Sequence, residues 1–267
     1  MLPVLSNPGL LITSLTVVMS LISPAAGASV HSRTEDKSCG SGMYKSPPRH
    51  FGFLLPRAFS VLDVFGPLEV FQALARQTKL DLSMLSRTMD PAKTETIHAA
   101  MNRFNSSFFP QVVVTHTYAD KPPIDVLVVP GGAAARSPDL GPELEYIRKA
   151  FPKLKYLITI CTGAGIAAQS GVMDGYRATT NKQAWKQMTA MGPKVKWVSP
   201  ARWVEDGKVW SSSGVTAGID LALEFIRQKY ENGTAIAEAI SGAIEHTPIL
   251  DWREDPWAAK FNVTPQN

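Results

Sequence analysis

Residues 156–165 read Tyr156-Leu157-Ile158-Thr159-Ile160-Cys161-Thr162-Gly163-Ala164-Gly165. The first five are apolar or β-branched and show no polar face, as expected of a strand covered on both sides of a parallel sheet. Small residues follow at once, so the chain can turn sharply and a helix can pack close to its strand. Cys161 stands at the corner, lifted above the carboxyl edge of the sheet, where open α/β sheets bind ligands. The mechanical logic is that of a nucleophile elbow. A helix beginning at residues 162–165 directs its N–H groups at the sulfur and favours thiolate. The alternative at this point is a buried, inert cysteine acting as a small hydrophobe.

The same alternation extends outward in both directions. Upstream, Asp125-Val126-Leu127-Val128-Val129 is a second near-continuous apolar strand, ending in Pro130-Gly131-Gly132. Phe51 to Leu55 is a third strand, Leu80 to Leu85 a fourth, and residues 96–118 suggest extra edge strands. Val64, Leu68, Phe71 and Leu74 share one face of a helix over Asp63 to Arg76, with Pro67 in its first turn. Glu143 to Ala150 is another helix. Downstream, Thr179-Thr180, 195–198 and 203–205 read as short strands, and Glu205-Asp206-Gly207-Lys208 as a hairpin turn. Helices over about 216–230 and 234–245 close the domain. This predicts an α/β fold, a doubly wound and mostly parallel sheet flanked by helices.

Composition agrees. The chain has 267 residues, 45% hydrophobic and 19% charged, which excludes disordered, collagen-like and coiled-coil classes. A net charge of +4 without zinc-finger spacing or an Arg-rich helix points away from nucleic acid. No metal or nucleotide motif appears, so no cofactor and no metal are expected. Residues 1–28 carry no charge and hold a 13-residue apolar run, Leu10 to Ile22, followed by Ala26-Gly27-Ala28. That run is short for a membrane span and suits a signal peptide cleaved near Ala28–Ser29. A secreted chain without stable membrane insertion is therefore expected, and the sequons at Asn105, Asn232 and Asn262 are compatible with glycosylation. Residues 29–50 read as a disordered linker carrying Cys39, 51–246 as one domain, and 247–267 as a C-terminal tail.

Three elements surround Cys161. Gly131 and Gly132 follow a strand's carboxyl end, where their N–H groups could join that of Thr162 in an oxyanion hole; an ordinary strand-to-helix loop fits equally well. Asp63 could hydrogen-bond the thiol or shuttle its proton, or it could simply be a helix N-cap. Glu69 is a weaker candidate, a first-turn acid serving the helix dipole.

Taken together these stretches resemble the ThiJ/PfpI superfamily, with its class I glutamine amidotransferase-like fold. The matching segments are Leu62 to Phe71, Val128 to Gly132, Ile160 to Ala164, Ser170 to Thr180, Val204 to Lys208 and Ser213 to Asp220. Within the superfamily the nearest resemblance is to the isonitrile hydratase subgroup and to amidotransferase-like domains of some AraC-type regulators. The resemblance implies a flavodoxin-like three-layer sandwich, Cys161 as nucleophile, Asp63 as its acid partner, and Thr162 as the neighbour that positions the reacting group. It also implies a homodimer and a small-molecule substrate. One position departs: Asn181 stands after Ala178-Thr179-Thr180, where many relatives carry histidine. Asn can orient a substrate but is no base near neutral pH. The implied route is therefore a cysteine–carboxyl pair, with thiolate attack, a covalent intermediate and hydration to an N-formamide. A non-catalytic binding or sensing protein, or a deglycase- or glyoxalase-like stress protein, is the alternative.

Overall fold

The computed structural model describes residues 46–263. The expected signal peptide, its cleavage point, most of the expected linker with Cys39, and Thr264 of the third sequon lie outside the described residues.

In chain order the elements are β1 (His50–Leu54), α1 (Val61–Ala75), β2 (Asp81–Ser86), β3 (Ala92–Lys93), β4 (Gln111–Val112), β5 (His116–Thr117) and β6 (Val126–Val129). There follow α2 (Gly141–Ala150), β7 (Tyr156–Thr159), α3 (Gly163–Gln169), β8 (Arg177–Ala178), α4 (Trp185–Met191), β9 (Lys196–Trp197), β10 (Trp203–Asp206) and β11 (Val209–Ser212). The last three are α5 (Ala217–Lys229), α6 (Gly233–Ala243) and α7 (Pro256–Lys260). The main sheet runs β10-β11-β7-β6-β1-β2-β5, parallel throughout except for the β10–β11 hairpin. In that hairpin Asp206 pairs with Val209 around Gly207, whose positive φ of 57° suits glycine.

The central strands read as unbroken apolar runs because both faces are covered. Val126, Val128, Tyr156 and Ile158 point into one core with Val64 and Phe71 of α1 and Phe225 of α5. Leu127, Val129 and Leu157 point the other way, into a second core with Ile147 of α2, Ala164 of α3 and Met188 of α4. Successive side chains on a strand alternate faces, so each strand feeds both cores. The result is the expected doubly wound three-layer sandwich. None of the described helices is long and apolar enough to cross a membrane.

Several local expectations are corrected. Helix α1 starts at Val61, capped by the extended backbone of Ser60, so Asp63 lies inside the first turn and is not the N-cap. Pro67 is an interior residue, where its missing N–H leaves the carbonyl of Asp63 without the usual helical partner. Thr179 and Thr180 follow a strand instead of forming one; β8 ends at Ala178. The fold also reaches past the segment expected to hold it. Tyr230 donates from its hydroxyl to the buried carbonyl of Pro48 (2.5 Å), and the 247–263 segment packs back on the domain through Trp252 and Asp255.

Candidate active site

Three βα corners meet at the carboxyl edge of the sheet. At the end of β7, Cys161 adopts φ 58°, a left-handed conformation that a residue with a side chain adopts only at a cost. The kink turns the chain from β7 directly into α3. It is tight: a Cβ on Gly163 would come within 2.2 Å of the Val129 carbonyl oxygen, so only glycine fits. Cys161 is a free cysteine, 5% exposed, and Thr162 beside it is 4% exposed.

Asp63 comes from α1 and is fully buried. Its Oδ2 accepts the Gly131 N–H at 2.8 Å, while its Oδ1 makes no full hydrogen bond among the described residues; the Ser60 and Cys161 side chains lie beside the carboxyl. Burial raises the carboxyl from 3.8 to about 7, against the lowering pull of the Gly131 N–H and of the Ser60 and Cys161 side chains. Burial likewise pushes the Cys161 thiol up to about 12, and the negative charge of Asp63 adds to it. The N–H groups of Val215 and Thr162 and the Asn181 amide pull the other way and do not compensate. The expectation that the helix would favour thiolate is therefore corrected: α3 is only seven residues long, and burial with an adjacent carboxyl outweighs it.

The Gly131-Gly132 turn also has a different use from the one expected. The Gly131 N–H serves Asp63, and the Gly132 N–H donates to Thr162 Oγ1 at 2.9 Å. Both groups are committed to holding the site together, so neither faces a ligand oxygen as an oxyanion hole would require. A Cβ on Gly131 would lie 2.4 Å from Thr162 Oγ1 and 2.5 Å from Thr162 N, which explains the glycine by close approach. Thr162 is thus tied to Gly132 through its hydroxyl, while its own N–H faces the sulfur.

Asn181, which stands where many relatives carry histidine, reaches the sulfur. Its Nδ2 donates to Cys161 Sγ at 3.3 Å, and its Oδ1 accepts the Ala184 N–H at 3.0 Å, which orients the amide. Thr180 Oγ1 donates to the Cys161 carbonyl at 2.9 Å. Glu69 is not a first-turn acid: it lies two turns further along α1, exposed, with no hydrogen bond or ion pair among the described residues. The structure thus brings together Cys161, Asp63, Thr162, Gly131, Gly132 and Asn181, and leaves out Glu69. Two contributors had no role assigned from sequence. One is the Val215 N–H at the sulfur, within the Ser213 to Asp220 segment that resembles the family. The other is Thr180, whose hydroxyl holds the Cys161 carbonyl.

A cavity of about 1010 Å³ lies at the opposite, amino-terminal edge of the sheet, lined among others by His50, Asp125 and Tyr146. A hollow of about 420 Å³ lies on the carboxyl side, at the ends of β1 and β2, lined by Leu55, Ser86 and Arg87. Neither is lined by Cys161 or Asp63, so the larger one has no connection to the chemistry described here.

Residues 52–228 match the DJ-1/PfpI family. An isonitrile hydratase from Pseudomonas putida is 30% identical over 200 residues, covering 74% of this chain and 78% of its own. The HTH-type transcriptional regulator GbdR of Pseudomonas aeruginosa is 27% identical over 120 residues, 45% of this chain and 32% of its own. Among solved structures, a ThiJ/PfpI family protein from Pseudomonas syringae superposes with a TM-score of 0.61 at 24% identity, over 79% of this chain and 82% of its own. Drosophila melanogaster DJ-1beta gives 0.60 at 14% identity, over 74% and 98%. The last two establish the fold.

Proposed function

The chain belongs to the DJ-1/PfpI family, and on that premise we propose that it is a cysteine-dependent hydratase acting on isonitriles. One observation carries the reading. A buried thiol and a buried carboxyl share a site in which one carboxyl oxygen makes no full hydrogen bond among the described residues and the thiol lies beside the carboxyl, and among the described residues no histidine hydrogen-bonds to either. At neutral pH the thiol holds its proton, and Asp63 sits near the middle of its titration, able to take a proton and return it.

An isonitrile needs that service, because its terminal carbon must gain both a nucleophile and a proton. As Cys161 sulfur bonds to the carbon, the S–H proton passes through Asp63 to the same carbon, giving a thioimidate with a C–H bond. Water then adds to that carbon, the C–S bond breaks, the nitrogen gains a proton, and an N-formamide leaves with the thiol restored. Asn181 Nδ2 and the Val215 and Thr162 N–H groups face the sulfur and stabilise charge that develops on it. The partial match to GbdR favours a second reading, a binding or sensing domain with the same cysteine corner. The test is to incubate the reduced protein with aliphatic and aromatic isonitriles and follow N-formamide. Formation that disappears in Cys161→Ala supports the hydratase. Folded, reduced protein that yields no formamide from any of them, yet binds an isonitrile, supports the sensor.

A further inference from the structure

The molecule holds a second buried charge cluster, close to the site in sequence and built partly from the C-terminal segment. Lys182 follows Asn181 directly, and its side chain is fully buried. Its Nζ lies 2.8 Å from Asp255 Oδ2 and 2.8 Å from the Ala201 carbonyl. Thr179 Oγ1 at 2.9 Å, Ser213 Oγ at 3.1 Å and the Thr180 carbonyl at 3.2 Å complete the set. Asp255 is equally buried; its Oδ2 also accepts from Ser213 Oγ at 3.0 Å, and its Oδ1 caps α7 through the Trp257 N–H. The same segment is pinned again where the Arg202 N–H donates to the Trp252 carbonyl.

Two of the strands of chain that Lys182 ties together end at the Cys161 sulfur. The 179–182 segment supplies Thr180 Oγ1 to the Cys161 carbonyl and Asn181 Nδ2 to Sγ. The 213–215 segment supplies the Val215 N–H, two residues after Ser213. We propose that the Lys182–Asp255 pair is a clasp by which the C-terminal segment sets Asn181 and the Val215 N–H against Cys161, so that both are positioning residues for the thiol. A buried ion pair is a poor source of net stability, because desolvating two charges offsets their attraction, and an apolar pair of similar volume often does as well. What an apolar pair cannot do is bind Thr179, Thr180, Ala201 and Ser213 from a single atom. That convergence fixes the relative placement of the two segments that face the sulfur. The proposal rests on Cys161 being the reacting group and not on the identity of the substrate.

The experiment reads the thiol without any substrate. Iodoacetamide alkylation of Cys161 is followed by peptide mass spectrometry, at one mildly alkaline pH, in full-length protein shown to be folded by its cooperative melt. The double variant Lys182→Met/Asp255→Leu removes both charges while keeping volume. Losing the donors at the sulfur leaves less thiolate, and one pH unit in the thiol is tenfold in thiolate fraction, so alkylation is expected to slow by about 10-fold. Asn181→Ala is expected to slow it similarly, and the triple variant to add little further, because the clasp acts through Asn181. A folded double variant with wild-type alkylation, or full additivity with Asn181→Ala, overturns the proposal. Should the double variant not fold, Asp255→Asn keeps the side-chain shape and is decided by the same two outcomes. Alkylation needs no isonitrile, so a failure here is distinct from a failure of the hydratase reading.

Discussion

Two buried acids of this molecule, Asp63 beside Cys161 and Asp255 against Lys182, are treated in opposite ways. Asp255 Oδ2 meets Lys182 and Ser213, and its Oδ1 caps a helix. Asp63 has one backbone N–H on Oδ2, no full hydrogen bond on Oδ1 among the described residues, and only the Ser60 and Cys161 side chains beside it. An unsatisfied buried polar group costs about 1–3 kcal/mol, and a fold built for stability alone would remove it. The difference separates two uses of a buried carboxyl. Where partners saturate it, it joins segments of chain. Where few partners hold it and a thiol lies beside it, it is available to a proton.

Substitutions at these residues separate the two uses. Cys161→Ala should reduce formamide production to background and abolish any covalent adduct seen by intact mass; turnover surviving that change would move the chemistry elsewhere. Asp63→Asn should lower turnover by about 10²-fold or more, since Asn cannot carry the proton. It should also stabilise the fold, with a defined pH dependence. A carboxyl raised from 3.8 in the unfolded chain to about 7 in the fold penalises stability only when ionised. The penalty is absent below about pH 4, grows as pH rises, and is complete above about pH 7, where it reaches about 4 kcal/mol. Thermal melts at pH 4 and pH 8 should therefore show a gain for Asp63→Asn only at the higher pH. Neutralising the other site alone should do the reverse. Lys182→Met leaves Asp255 buried without its cation and should cost about 3–5 kcal/mol by denaturant titration near neutral pH. The smallest effect belongs to Glu69→Gln, which should leave turnover and melting temperature within error, because the side chain is exposed and makes no hydrogen bond or ion pair among the described residues.

How much of this was legible in the sequence follows from the range of each interaction. The cysteine corner was readable because a β-covered strand and a run of small residues are local patterns, and the structure has them at Tyr156–Thr159 and Gly163–Gln169. The flanking helices were readable for the same reason. The start of α1 was misplaced because Ser60 caps through backbone conformation, with no side-chain cap bond to betray it, and Pro67 invites a later start. The roles of Gly131 and Gly132 were misread because a free N–H and one spoken for by Asp63 or Thr162 look identical in sequence. The thiol was misjudged because helix direction is local, whereas burial and the approach of Asp63, 98 positions away in the chain, are not. Lys182 and Asp255 are 73 positions apart and follow no pattern at all.

The central claim is that Cys161 and Asp63 act as one unit, with the proton resting on sulfur and the carboxyl titrating near neutrality. The most direct measurement is ultraviolet thiolate absorbance against pH, for wild type and Asp63→Asn, each corrected with its Cys161→Ala counterpart. The account predicts no Cys161 thiolate in wild type through neutral and mildly alkaline pH, and its appearance at lower pH once Asp63 carries no charge. A thiolate already present in the wild type at neutral pH, or a titration that Asp63→Asn leaves unmoved, would contradict it.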